Sequence, residues 1–124
     1  MNTYEVLTPK GSMVYAARTA SKARYRAFLE YSSVFESRFG DFVKLVSVRK
    51  CPVPKNDGYA YVRRAYGVEI AVGHRVRIIN EGNLTGTEGV VVYPGQTSAY
   101  VAIAIDGRDD PARVHPMSVE RVAA

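Results

Sequence analysis

The chain of 124 residues has one cysteine, two histidines and no long apolar run. Because Cys51 stands alone, a disulfide within the chain is excluded, and the chain fits a reducing compartment. No apolar stretch approaches the roughly 18 residues that a membrane-spanning helix needs. The first residues also lack the basic and apolar regions of a signal peptide. These absences predict a cytoplasmic protein that does not enter a membrane.

Sequence signals for metal binding and catalysis are also missing. His74 and His115 lie in different segments, with no second Cys or His at zinc-ligand spacing. Asp106, Asp109 and Asp110 do not supply the full ligand set of a calcium loop. The sequence contains no Gly-x-Ser-x-Gly motif, no phosphate-binding P-loop and no paired His and carboxylate. We therefore expect a protein that is not an enzyme and that has neither a metal ion nor a cofactor.

Charge and aromatic residues are divided unequally along the chain. Residues 1–66 contain twelve Lys or Arg and five Asp or Glu, a balance of +7, whereas residues 67–124 contain five and seven, a balance of −2. Seven of the nine tyrosines and all four phenylalanines also lie in the first stretch. Such asymmetry indicates two modules, of which the first presents the electrostatic surface.

The first stretch predicts a small α+β module over residues 1–55. Residues 3–8 and 13–18 are typical of two strands joined by a turn at Pro9–Ser12. Thr19 or Ser21 offers an N-cap hydroxyl, which predicts a helix over about residues 20–35. Residues 42–49 then predict a third strand, which gives the order strand, strand, helix, strand.

The rest of the chain is expected to be all β after a connector. Residues 56–66 are predicted to be that connector or an extra strand, because Pro52 and Pro54 end the preceding strand. Short apolar or alternating segments separated by turns then predict a small barrel or sandwich over residues 67–124. The predicted strands are 68–72, 75–80, 87–93, 99–105 and 111–115, followed by a one-turn helix and a closing strand within 115–122.

One segment of this second stretch resembles a known motif. Gly73, Val76 and Ile78 match an opening strand, and Gly86-Thr87-Glu88-Gly89-Val90-Val91 matches a Gly-x-x-Gly-x-Val centre. The pattern resembles the KOW motif that opens small SH3-like β-barrels in ribosomal proteins and transcription elongation factors. The resemblance implies an SH3-like barrel of a type that binds RNA or other proteins. Because each module is near the lower size limit for independent stability, we expect the two to pack on each other. Acidic residues in its predicted loops make this barrel itself a poor surface for phosphates.

The basic residues of the first stretch are the candidate binding site. Lys and Arg supply attraction to phosphates that does not depend on nucleotide sequence, and interleaved tyrosines can stack on bases. An ordinary solvated surface, or a surface for an acidic protein partner, would have the same composition. The candidate nucleic-acid-binding residues are Arg18, Lys22, Arg24, Arg26, Arg49, Lys50, Arg63, Arg64, Tyr25 and Tyr61.

The sequence thus predicts a small non-enzymatic nucleic-acid-associated protein that binds the phosphate backbone of DNA or RNA. The alternative is a protein-binding module or inhibitor that docks on an acidic host protein, or a structural component of a virion or other assembly. In general style, a compact chain with a Gly-x-x-Gly barrel and a module rich in Tyr and Arg resembles accessory proteins of bacteriophages and mobile elements.

Overall fold

The computed structural model describes residues 1–35, 37–95 and 98–122. The chain divides into two compact units, Met1–Pro52 (the first unit) and Val53–Ala124 (the second unit). Each unit has its own antiparallel sheet and its own cluster of buried side chains. With helices beside two antiparallel sheets, the protein is of the α+β class.

The first unit combines a three-stranded sheet, in the order β2-β1-β3, with two helices. A tight turn joins Thr8 to Gly11, and Gly11 has a φ of +126°, a conformation that favours glycine. Along the chain, both helices lie between the second and the third strand. In chain order the elements are β1 (Asn2–Thr8), β2 (Gly11–Ala17), α1 (Ala20–Ser32), α2 (Phe39–Leu45) and β3 (Ser47–Cys51).

The core of the first unit lies between its sheet and α1. Val6 and Tyr15 on the sheet are buried together with Ala23 and Ala27 of α1 and Phe42 of α2. The two alanines are spaced four residues apart and therefore lie on one helix face. Their small side chains allow α1 to lie close to the strands.

The second unit begins with a short helix and continues as a five-stranded antiparallel sheet in the order β7-β6-β5-β4-β8. Among the described residues, β7 and β8 are not paired with each other, so the sheet does not close into a barrel. Its elements are α3 (Ala60–Tyr66), β4 (Arg75–Ile78), β5 (Glu88–Val91), β6 (Val101–Ile105), β7 (Ala112–Val114) and β8 (Val119–Arg121), with 3₁₀ turns at Gly82–Leu84 and Pro116–Ser118.

Tyr59 is the largest fully buried side chain of the second unit. Its ring lies in the core with Val62 of α3 and with apolar residues of four strands. Its hydroxyl donates a hydrogen bond to the Val92 carbonyl at 2.6 Å and accepts one from the Ala102 N–H at 3.0 Å. A single side chain therefore connects the start of α3 to the region where β5 and β6 run side by side.

Two segments predicted as strand or connector are helices. Residues 42–45, expected to begin a strand, belong to α2, because Phe42 is fully buried against the rings of α1 when this segment is helical. Residues 60–66, expected as a connector or strand, form α3, since Tyr59 and Val62 are both buried at a spacing of three. Gly67 ends this helix with a φ of +65°.

Smaller differences concern where elements end. The helix α1 stops at Ser32, short of residue 35, and Val34 beyond it is 73% exposed. Residues 68–72, predicted as a strand, have no regular structure, although Ile70 among them is buried in the core of the second unit. The predicted one-turn helix and closing strand near the C-terminus are confirmed as Pro116–Ser118 and β8.

Gly89 is the glycine whose missing side chain matters most. A Cβ atom there would lie 2.3 Å from the Ala104 carbonyl oxygen and 2.8 Å from Ile103 Cγ2. We expect Gly89→Ala to lower the free energy of unfolding of the second unit by about 3 kcal/mol, because β5 and β6 must separate. Gly40→Ala is the matched control: its Cβ meets nothing within 4 Å. In a helix this change should be neutral or slightly stabilising. Chemical denaturation measures both, and a Gly89→Ala variant as stable as Gly40→Ala would contradict the close approach.

Burial raises the pKa of Tyr59 from 10.0 to about 12. A raised pKa means that the fold favours the neutral phenol, so this contribution to stability is complete below pH 10 and is lost as the pH rises towards 12. We expect Tyr59→Phe to cost about 2 kcal/mol at neutral pH, because the Ala102 N–H and the Val92 carbonyl lose their partner. The free energy of unfolding of the variant should also fall less steeply at alkaline pH, because it lacks the contribution of Tyr59 ionisation. Denaturant titrations from about pH 8 to about pH 11.5 compare the two chains, and parallel declines would argue against this role.

Candidate nucleic-acid interface

The predicted basic residues divide between the two units. Those of the first unit lie directly after β2, on α1 and on β3, and those of the second unit lie on α3. Arg18 follows the end of β2, and Lys22 is in the first turn of α1. The helix begins at Thr19, whose hydroxyl accepts a hydrogen bond from the Lys22 N–H at 3.2 Å. Neither Arg18 nor Lys22 is without an interaction partner in the protein.

Arg26 has a structural role within the first unit. Its Nη1 donates a hydrogen bond to the Ala16 carbonyl, and its guanidinium lies 5.4 Å from the centre of the Tyr15 ring. The Tyr15 hydroxyl in turn donates to Glu30 Oε2 at 2.8 Å. Burial, with this carboxylate beside it, raises the pKa of Tyr15 well above the usual range. Arg26 therefore ties α1 to β2, and it is poorly placed to meet a phosphate.

Arg49 and Lys50, although adjacent, project to opposite faces of the three-stranded sheet. Arg49 stands directly across from Glu5 on β1, and the two side chains form an ion pair at 2.6 Å. Lys50 stands across from Tyr4, on the face that α1 covers. The strand thus presents one paired cation on its open face and one exposed lysine on the helix side.

The first unit retains cations that no carboxylate neutralises. Within the described parts of the chain, Arg24, Arg38, Lys44 and Lys50 have no ion-pair partner. Arg24 and Lys50 were predicted as binding residues, and Lys44 and Arg38, near the ends of α2, were not. Arg38 and Lys44 could not be identified as candidates from the sequence, because their exposure depends on α2, and this helix was not predicted.

Arg63 is also structural, in the second unit. Its Nη1 contacts Asp57 Oδ2 at 2.9 Å and donates to the Ile70 carbonyl at 2.8 Å. The hydrogen bond from Arg63 lowers the pKa of Asp57 below its usual range. Arg64 and Tyr61, three residues apart on α3, are both exposed. Of the three predicted residues on α3, two are thus available at the surface and one holds the fold.

Arg75 and Arg77, both on β4, are paired with carboxylates across the strands of the second sheet. Arg77 on β4 lies 3.2 Å from Glu88 on β5 and 3.2 Å from Glu120 on β8. Arg75 pairs with Asp106 and lies 3.5 Å from Glu88. These contacts raise the pKa of both arginines, and the hydrogen bond from Arg75 lowers that of Asp106. This cross-strand set, which we call the ion-pair lattice, leaves little positive charge for a phosphate.

An exposed aromatic pair lies where α1 meets α2. Tyr25 is 51% exposed and Phe39 is 41% exposed, and their ring centres lie 5.7 Å apart at nearly right angles. Phe28 supports both rings from the core side, at 6.1 Å from Tyr25 and 5.2 Å from Phe39. Tyr25 was a predicted binding residue, but Phe39 was not, since its partner ring is 14 positions away in the sequence.

Neither a metal centre nor a transmembrane helix is found in the described residues. Over residues 1–35, 37–95 and 98–122, no three His, Cys, Asp or Glu side chains are grouped so that they could hold a metal ion. In the same ranges, no helix is both long and apolar enough to span a bilayer.

The Asp57–Arg63 pair predicts a pH dependence for the second unit. Because the folded state lowers the pKa of Asp57, the pair stabilises the fold above the ordinary carboxyl pKa and loses this effect as the pH falls through the lowered value. We expect Asp57→Asn to reduce stability at neutral pH by about 1 kcal/mol or less, since Arg63 is 39% exposed. The difference from the unchanged chain should vanish at acid pH. Thermal unfolding across the acid range measures it, and a constant difference would show that the charge of Asp57 is not the cause.

Comparison with known proteins gives no family for this chain: no protein-family model matches it, and no curated protein matches it.

Proposed function

We propose that the protein is a small non-enzymatic protein that binds the phosphate backbone of nucleic acid through its first unit. One observation carries this proposal: all of the excess positive charge lies in that unit. Residues 1–52 contain nine Lys or Arg and four Asp or Glu, a balance of +5, whereas residues 53–124 contain eight of each. A unit this small with such a balance attracts a polyanion at long range.

The residues proposed to contact phosphates follow from which cations lack carboxylate partners. Arg24 and Lys50 are the main contacts, and Lys44 and Arg38 are further contacts in the same unit. Arg18 and Lys22 contribute to the positive balance of this unit, whereas Arg26, Arg49 and Arg63 keep the structural contacts described above. Tyr61 and Arg64 on α3 are proposed as an auxiliary contact of the second unit.

We further propose that the second unit is of the KOW type and has the SH3-like fold. The support is its five short antiparallel strands, the return of β8 to pair with β4, and the glycines of the motif. Gly86 has a φ of +90°, and Gly89 lies where a side chain would meet the neighbouring strand. The unit then serves mainly as a scaffold, since its ion-pair lattice neutralises Arg75 and Arg77 on β4.

A second candidate function is favoured by the apolar side chains on the first unit. Leu29, Val34 and Leu45 are 50%, 73% and 54% exposed, and exposed apolar side chains can bury their surface against another protein. The chain would then be a protein-binding module or inhibitor of the bacteriophage accessory type, docked on an acidic host protein, or an assembly component. Nuclease treatment separates this function from the first, because a protein complex survives it and a nucleic-acid complex does not.

Charge reversal tests the nucleic-acid proposal. We expect Arg24→Glu/Lys50→Glu to weaken binding of the full chain to a mixed-sequence oligonucleotide by at least about tenfold at low salt, because each lost phosphate contact removes released counterions. The slope of log affinity against log salt should become shallower by about 0.7–0.9 for each contact. Fluorescence anisotropy over a series of salt concentrations measures both quantities.

The matched control is Arg121→Glu, which makes the same kind of charge change in the neutral second unit. Arg121 is exposed on β8 and has no side-chain partner in the described residues. Its affinity should stay close to that of the unchanged chain. Equal losses in both variants, or affinity that does not respond to salt, would refute binding through the first unit.

A further inference from the structure

The outward face of α1 is apolar and aromatic at its centre. Ser21, Tyr25 and Leu29 follow one another at a spacing of four residues, and all three are exposed. This face offers few donors or acceptors to the base edges of a duplex groove. A helix that enters the major groove reads base edges with polar side chains, so this face of α1 does not suit duplex recognition.

The ring of Tyr25 is held in place before any ligand arrives. Phe28 and Phe39 contact it from within the unit, at ring-centre distances of 6.1 Å and 5.7 Å, and about half of its surface stays exposed. Phe39 presents a second ring beside it, at 41% exposure. Because the neighbouring rings restrict both side chains, a flat ligand stacked on them would order little additional structure.

One cation lies next to the Tyr25 ring on the same helix. Lys22 is three residues before Tyr25 and is therefore its neighbour on the helix surface. A surface with aromatic rings among cations suits a strand whose bases are unpaired, because bases stack on the rings while the phosphates meet the positive charge. In a duplex the base faces are already stacked on one another, so the rings would gain nothing.

We propose that the first unit prefers single-stranded nucleic acid, with an unpaired base stacked on the exposed rings of Tyr25 and Phe39. This inference rests on the proposed function and adds the class of nucleic acid to it. The balance of +5 in this unit favours a polyanionic occupant over an apolar protein surface.

The test compares one oligonucleotide in two forms. The full chain is titrated into a labelled mixed-sequence single strand and into the same strand annealed to its complement, at equal phosphate concentration and equal salt. We expect the single strand to bind about tenfold more tightly, which is the contribution of stacking one base on an aromatic side chain. Tyr25→Ala should remove most of this preference and leave duplex affinity unchanged, whereas Tyr25→Phe should retain it.

Tyr100→Ala provides the matched control for the loss of an exposed tyrosine. Tyr100 lies in the second unit at 52% exposure, close to that of Tyr25, and its removal should change neither affinity. The thermal unfolding of Tyr25→Ala is measured in parallel, so that a folding defect is distinguished from a lost contact. A variant that unfolds is replaced by Tyr25→Leu, which keeps an apolar side chain without a ring.

The outcomes separate this inference from the function on which it rests. Equal affinity for the two forms, or an equal loss of both in a folded Tyr25→Ala, overturns the single-strand preference while binding through the first unit stands. Binding to neither form overturns both proposals. A Tyr25-dependent protein complex that survives nuclease, in a chain that binds no oligonucleotide, assigns the face to a protein partner and also overturns both.

Discussion

The second unit depends on one buried tyrosine. Tyr59 fills the centre of its core, and its hydroxyl satisfies the Val92 carbonyl and the Ala102 N–H. A residue without this hydroxyl would leave two buried polar groups unsatisfied, and a smaller residue would leave a cavity next to Val62. Because Tyr59 also directly precedes α3, the position of that helix, and with it the exposed pair Tyr61 and Arg64, follows from the same contact.

Pairing with carboxylates and carbonyls decides which of the cations remain available. Arg26 and Arg63 donate hydrogen bonds to backbone carbonyls, and Arg49 forms an ion pair with Glu5. In the second sheet, the ion-pair lattice balances the charges of Arg75 and Arg77. A formal charge of +5 therefore describes one unit of the protein rather than its whole surface. The proposed function depends on this division, because attraction to phosphates requires cations whose charge is not already balanced.

Local signals predicted the elements that local chemistry controls. The turn before Gly11 and the cap at Thr19 were sufficient for the hairpin and for the start of α1. The helix α2 was missed, because the apolar, valine-rich run over residues 42–48 is typical of a strand, whereas the burial of Phe42 against α1 favours a helix over residues 39–45. Part of the site was hidden for the same reason. No pattern connects Phe39 to Tyr25 or Arg26 to the Ala16 carbonyl, since both relations arise from tertiary packing.

The neutral lattice of the second sheet has a practical consequence for handling the protein. An isoelectric point near 9.5 suggests uniform retention on any negatively charged support, yet only the first unit carries the net charge that adsorbs there. A cation-exchange resin or an anionic sensor chip should thus hold the chain in a preferred orientation. The residues proposed to bind phosphates would then be masked by the support. Surfaces of this kind are therefore unsuited to immobilising the chain for binding measurements.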